Sequence, residues 1–103
     1  MNTRDILNVD DYKVVVALLN EEFEAHDFIT VYSSLYAAKY VAMLRICAGS
    51  FTSVDSQIAI FLRDNANALC IERVTNENGN NAIVESENIK TNPSNNSCWR
   101  KRQ

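Results

Sequence analysis

Phe51-Thr52-Ser53-Val54-Asp55-Ser56-Gln57-Ile58 opens the stretch whose reading decides the fold. Thr52 or Ser53 is suited to cap a helix, and Asp55 places a negative charge in its first turn, where free N–H groups favour it. Ile58, Phe61, Leu62 and Leu69 follow at helical spacing with Ala66 between them, so about five turns share an apolar face. After Leu69 the period shortens to that of a strand. Cys70-Ile71-Glu72-Arg73-Val74-Thr75 is rich in strand formers, and Asn78-Gly79 is the strongest short-range hairpin signal in the chain.

Upstream, residues 1–9 read as a lead-in. Asp10 or Asp11 is placed to cap a first helix, and Tyr12, Val15, Val16, Leu19 and Phe23 form its buried stripe. Glu21, Glu22 and Glu24 crowd the C-terminal end, where the helix dipole disfavours anions, so that helix is expected to stop near Phe23 or Ala25. A second helix is expected from His26 or Asp27 to about Cys47, closed by Gly49 in the left-handed conformation. It has two apolar stripes: Phe28, Val31, Leu35, Ala38 and Ala42, and beside them Ile29, Tyr32, Tyr36, Tyr40 and Met43. Either both stripes pack on the flanking helices, or Tyr32, Tyr36 and Tyr40 form a dimer interface, where tyrosine is enriched.

Downstream, Ala82, Ile83 and Val84 are placed to pair back on residues 71–74. Asn92-Pro93-Ser94-Asn95-Asn96-Ser97 reads as a second turn, flanked by Asn88-Ile89-Lys90-Thr91 and Cys98-Trp99-Arg100-Lys101. Either turn serves as the tip of the C-terminal hairpin. Trp99, the single tryptophan, is expected to anchor the last strand on the helices.

At 103 residues the chain is a single domain, 47% hydrophobic and poor in glycine and proline, which favours helix over a many-stranded sandwich. Charge is uneven. Residues 1–87 carry a net −7, whereas residues 88–103 carry Lys90, Arg100, Lys101 and Arg102 and no acid. A basic edge on an acidic domain is thus expected. Residues 27–48 are apolar enough to raise a membrane question, but Asp27, Lys39 and Arg45 interrupt them, so no spanning helix is expected. No apolar run follows Met1-Asn2-Thr3-Arg4-Asp5, and a cytoplasmic location is the default expectation.

Helices, a helix introduced by residues 51–58, then a hairpin: this order over residues 10–102 resembles the winged helix-turn-helix class. The expected architecture is α+β and mainly helical, with three helices over 10–69 and a β-hairpin wing and basic tail over 70–103. The resemblance implies a DNA-binding protein, a transcription regulator acting as a dimer, whose third helix enters the major groove. Its outward face would carry Ser53, Ser56, Gln57, Ile60, Arg63, Asp64 and Asn67. Gln57, Arg63 and Asn67 would read base edges, while Lys90, Arg100, Lys101 and Arg102 would hold phosphate. Asp55 and Asp64 on or beside that face oppose this. The alternative is a non-enzymatic protein-interaction module using the acidic N-terminal edge (Glu21, Glu22, Glu24 and Asp27) or the tyrosine-rich second helix.

Catalytic and metal patterns are absent from the sequence. No serine lies in a G-x-S-x-G context, and His26 beside Asp27 reads as a helix start. Cys47, Cys70 and Cys98 lack metal-ligand spacing, and neither Gly49 nor Gly79 lies in a phosphate loop. No enzyme, metal or cofactor is expected.

Overall fold

The computed structural model describes residues 2–88 and 93–102. A 3-10 turn (Thr3–Asp5) precedes α1 (Val9–Leu18), β1 (Glu22–Glu24), α2 (Ala25–Leu35), α3 (Ala37–Ile46), α4 (Phe51–Asp64), β2 (Ile71–Arg73), β3 (Ile83–Glu87) and β4 (Pro93–Lys101). The architecture is α+β, with an antiparallel sheet completed by a C-terminal strand pair.

Asn8, rather than Asp10 or Asp11, caps α1: its Oδ1 accepts the Asp11 N–H at 2.8 Å. The two aspartates occupy the first turn instead, where the positive end of the helix dipole favours them. Tyr12, Val15 and Val16 are buried as their spacing predicts. The helix stops at Leu18, before the glutamates, and Phe23 reaches the core from β1 opposite Trp99.

The expected second helix is two helices. The backbone breaks at Tyr36, with φ −119° and ψ 48°, and this separates α2 from α3. The second stripe turns inward, with Ile29, Tyr32, Tyr40 and Met43 buried, whereas of the first only Phe28 is buried and Leu35 and Ala38 are exposed. Gly49 then takes φ +81°, the left-handed conformation that only glycine adopts without strain.

Ser50, ahead of the expected caps Thr52 and Ser53, starts α4, and its Oγ accepts the Ser53 N–H at 3.3 Å. Val54, Ile58 and Leu62 are fully buried along one face. At the centre the Tyr12 hydroxyl donates to the Ile58 carbonyl at 2.9 Å, and the Tyr12 ring lies 4.6 Å from Phe28 and 4.9 Å from Phe61 between centroids. Burial, then the neighbouring Tyr32, pushes the Tyr12 hydroxyl far above the ordinary tyrosine range.

β4 organises the sheet. Its C-terminal half lies between β1 and β2, with Trp99 opposite Phe23 on one side and Arg73 on the other. Its N-terminal half pairs with β3, from Ile83 opposite Ser97 to Glu87 opposite Pro93. Asparagine-rich residues 93–97 are therefore strand rather than turn, and β3 pairs with β4 instead of β2. The Asn78-Gly79 turn is present but small: Thr75 bridges Asn81, and Asn76 receives the Gly79 N–H at 3.0 Å. Trp99 is 2% exposed, and its indole N–H donates to Ser97 Oγ at 2.8 Å. Truncating so buried a ring costs about 3–5 kcal/mol.

Candidate functional site

Of the residues expected to read base edges, Arg63 and Asn67 are exposed and Gln57 is half-buried. Ser53, Ser56, Arg63, Asp64 and Asn67 are exposed as the helical spacing implies. Gln57 and Ile60 are half-buried and line a depression with Arg4 and Leu7 from the N-terminal segment, so the chain itself covers that end of the face. Arg63 Nη2 lies 3.2 Å from the adjoining Asp64 carboxylate, an exposed pair.

The basic edge is divided among different tasks. Arg100 is in register with Glu22 on one side and Glu72 on the other, and its Nη2 lies 3.1 Å from Glu72 Oε1. Lys101 donates its ammonium to the Leu19 carbonyl at 2.7 Å, answering an orphan acceptor at the end of α1. Arg102 Nη2 lies 3.4 Å from both the carbonyl and Oδ1 of Asn67. Lys90 lies outside the described residues. The described residues of β3 and of the half of β4 paired with it carry Glu85 and Glu87 and no cation. Among the described residues, the cations of this edge are thus held at three separate partners, Glu72, Leu19 and Asn67.

Tyr32 is 0% exposed and Tyr40 8%, both within the chain's own core, and Tyr36 is half-buried against it. The tyrosine stripe therefore leaves almost no area for a second subunit. Tyr40 donates to Asp55 Oδ1 at 2.7 Å. Burial pushes the Asp55 carboxyl above its ordinary value, against the lowering effects of the Tyr40 hydroxyl and of His26.

Apolar surface is instead left open where α1 ends against α2. Leu18 is 63% exposed and Leu35 48%, and both border a groove that also takes in Val31, Thr30 and Ser34. The groove continues past Leu19 and Phe23 to Glu22 and Asp27, as adjoining depressions of about 310 and 290 Å³. Its lining holds two carboxylates and no cation. The acidic residues stand out in the sequence, whereas Val31 and Leu35 have the spacing of a packed stripe and Leu18 gives no signal.

A second cleft, of about 320 Å³, lies between the start of α2, the first half of α4 and the β3–β4 pair. Here Asn96 Oδ1 accepts the His26 backbone N–H at 2.7 Å, and its Nδ2 donates to the Val84 carbonyl at 3.0 Å and Glu24 Oε1 at 3.2 Å. The His26 ring bridges two hydroxyls: Nδ1 is 2.7 Å from Ser86 Oγ and Nε2 3.0 Å from Ser94 Oγ. A hydrogen bond from Ser86, with Asn96 and His26 adding to it, holds the Glu24 carboxyl below its usual range despite partial burial. Sequence reasoning places His26 at a helix start, where it is found, but these partners lie 60 or more residues away and leave no local signal.

Among the described residues no group of three or more His, Cys, Asp or Glu side chains is arranged to hold a metal ion, and no helix is long and apolar enough to cross a membrane. No family model, curated protein or solved structure matches the chain.

Proposed function

We propose that this domain is a protein-recognition module whose α1–α2 groove takes a basic, amphipathic segment of a partner protein. The observation that carries the reading is the pairing of Leu18 and Leu35, both largely exposed on one groove, with Glu22 and Asp27 at its end and no cation in the lining. Apolar side chains held in water at a concave site favour an apolar partner face, and the carboxylates select a cationic rim. A helical peptide with leucine on one face and lysine on the other tests this by calorimetry, beside the same peptide with glutamate for lysine. The lysine peptide binds and the glutamate peptide binds at least about tenfold more weakly; the double variant Leu18→Ser/Leu35→Ser loses about tenfold, equivalent to 1.4 kcal/mol. Equal binding by the wild type and the double variant contradicts the reading.

One observation favours nucleic acid instead: Arg102 lies against Asn67, just past the end of α4, and Arg63 is in the last turn of that helix. Exposed ion pairs such as Arg63–Asp64 are weak, typically about 0–1 kcal/mol, and exchange readily for phosphate. On this reading the domain is a winged-helix DNA-binding protein, a transcription regulator acting as a dimer. Duplex affinity then falls steeply with salt, and Arg63→Ala with Arg102→Ala flattens the slope. A flat slope in the wild type removes this reading.

A further inference from the structure

The polar cleft holds a run of polar contacts that ends on a serine. Beside the Glu24 carboxylate, Ser86 Oγ lies 2.7 Å from His26 Nδ1. The other ring nitrogen, Nε2, lies 3.0 Å from Ser94 Oγ. In the tautomer with its proton on Nδ1, the ring donates to Ser86 and accepts from the Ser94 hydroxyl. Asn96 Nδ2, 3.2 Å from Glu24 Oε1 and 3.3 Å from Ser86 Oγ, holds the first two members in place. Carboxylate, serine, imidazole, serine: this is the order of orienting acid, base and nucleophile, with one hydroxyl inserted between acid and base.

We propose that Ser94 is a nucleophile activated by His26, placed to attack a small acyl ester bound in the cleft. As Ser94 Oγ bonds to the carbonyl carbon, its proton passes to Nε2; the ester C–O bond then breaks and the leaving alkoxide takes that proton as an alcohol. Water reverses the exchange: its oxygen bonds to the acyl carbon, one proton goes to Nε2, and Ser94 Oγ departs and recovers it, freeing the carboxylic acid. Across the cleft, Thr52 and Ser56 of α4 line the same space, and their hydroxyls are donors for the oxyanion formed in either step. The site goes beyond the recognition groove, which uses the Thr30, Val31 and Ser34 side of α2 rather than His26 and Ile29.

The full chain, treated with an alkyl fluorophosphonate, tests the proposal by intact mass and peptide mapping. The expected result is a single adduct on Ser94, formed as Oγ bonds to phosphorus and fluoride leaves with the proton. Ser94→Ala abolishes it, and His26→Ala slows it about a hundredfold, the usual contribution of a general base. Because His26 is the only histidine, the nitrogen spectrum of the wild-type ring separately reports its tautomer; the proposal requires the proton on Nδ1. No adduct on protein that is folded by circular dichroism overturns the proposal. An adduct on another residue, labelling as fast in urea as in buffer, or a ring proton on Nε2 does so equally.

Discussion

Asn96 on β4 accepts the backbone N–H of His26, 70 positions earlier in the chain, at 2.7 Å. This single amide ties the start of α2 to the strand pair, because its nitrogen also reaches the Val84 carbonyl and Glu24. Asn96→Ala leaves a helix N–H and a strand carbonyl without that partner and is expected to cost about 1–3 kcal/mol by urea unfolding. Asn96→Asp restores an acceptor but sets a second carboxylate beside Glu24, so it is expected to destabilise as well.

The tyrosines give opposite expectations. Tyr12 donates to the Ile58 carbonyl, whereas the Tyr32 hydroxyl is buried without a hydrogen-bond partner. Tyr32 is also pushed up to about 12 by burial, with the charge of Asp11 adding to it. Tyr12→Phe should destabilise by about 1 kcal/mol, and Tyr32→Phe should be neutral or stabilising because it removes an unpaired buried group. Thermal melts of the two variants check the contrast.

Asp55 gives the clearest pH expectation. Its folded value is raised by burial, so the folded state holds the proton more tightly than the unfolded chain. Its contribution is therefore most favourable below the unfolded value and is lost as pH rises through the raised folded one. Asp55→Asn keeps an acceptor for Tyr40 and removes the titration. The difference in stability between wild type and variant, followed by urea unfolding upward from pH 3, should shift in favour of the variant and then level off.

How much of this was legible in the sequence depended on where the stabilising contacts lay. The buried face of α4 and the Tyr12, Val15, Val16 stripe were readable because each is repeated within one helix. β1 was not: three residues carry no period, and Glu22–Glu24 becomes a strand only by pairing with residues 98–100. The break at Tyr36 is followed by Ala37-Ala38, good helix formers that signal continuation. Residues 93–97 read as a turn by composition, yet Asn96 finds in β1, α2 and β3 the partners that asparagine otherwise seeks in its own backbone. The recognition groove was half legible, since Glu22 and Asp27 stood out while the exposure of Leu18 follows only from where α1 stops.

Arg100 illustrates a cation occupied by the fold. Glu22 and Glu72 flank it in register on the exposed sheet face. Arg100→Ala leaves the carboxylates on either side of it without their cation and should cost less than about 1 kcal/mol, since the pair is solvent-exposed. The loss should shrink in high salt, which chemical denaturation at two ionic strengths will read.

The most direct test of the recognition reading is a nuclear magnetic resonance titration of the labelled domain with the leucine–lysine peptide. The account predicts saturable shifts concentrated at Leu18, Val31, Leu35, Glu22 and Asp27, with Arg63, Asn67 and Arg102 unmoved. Shifts confined to the end of α4, or none at the groove at saturating peptide, would contradict it.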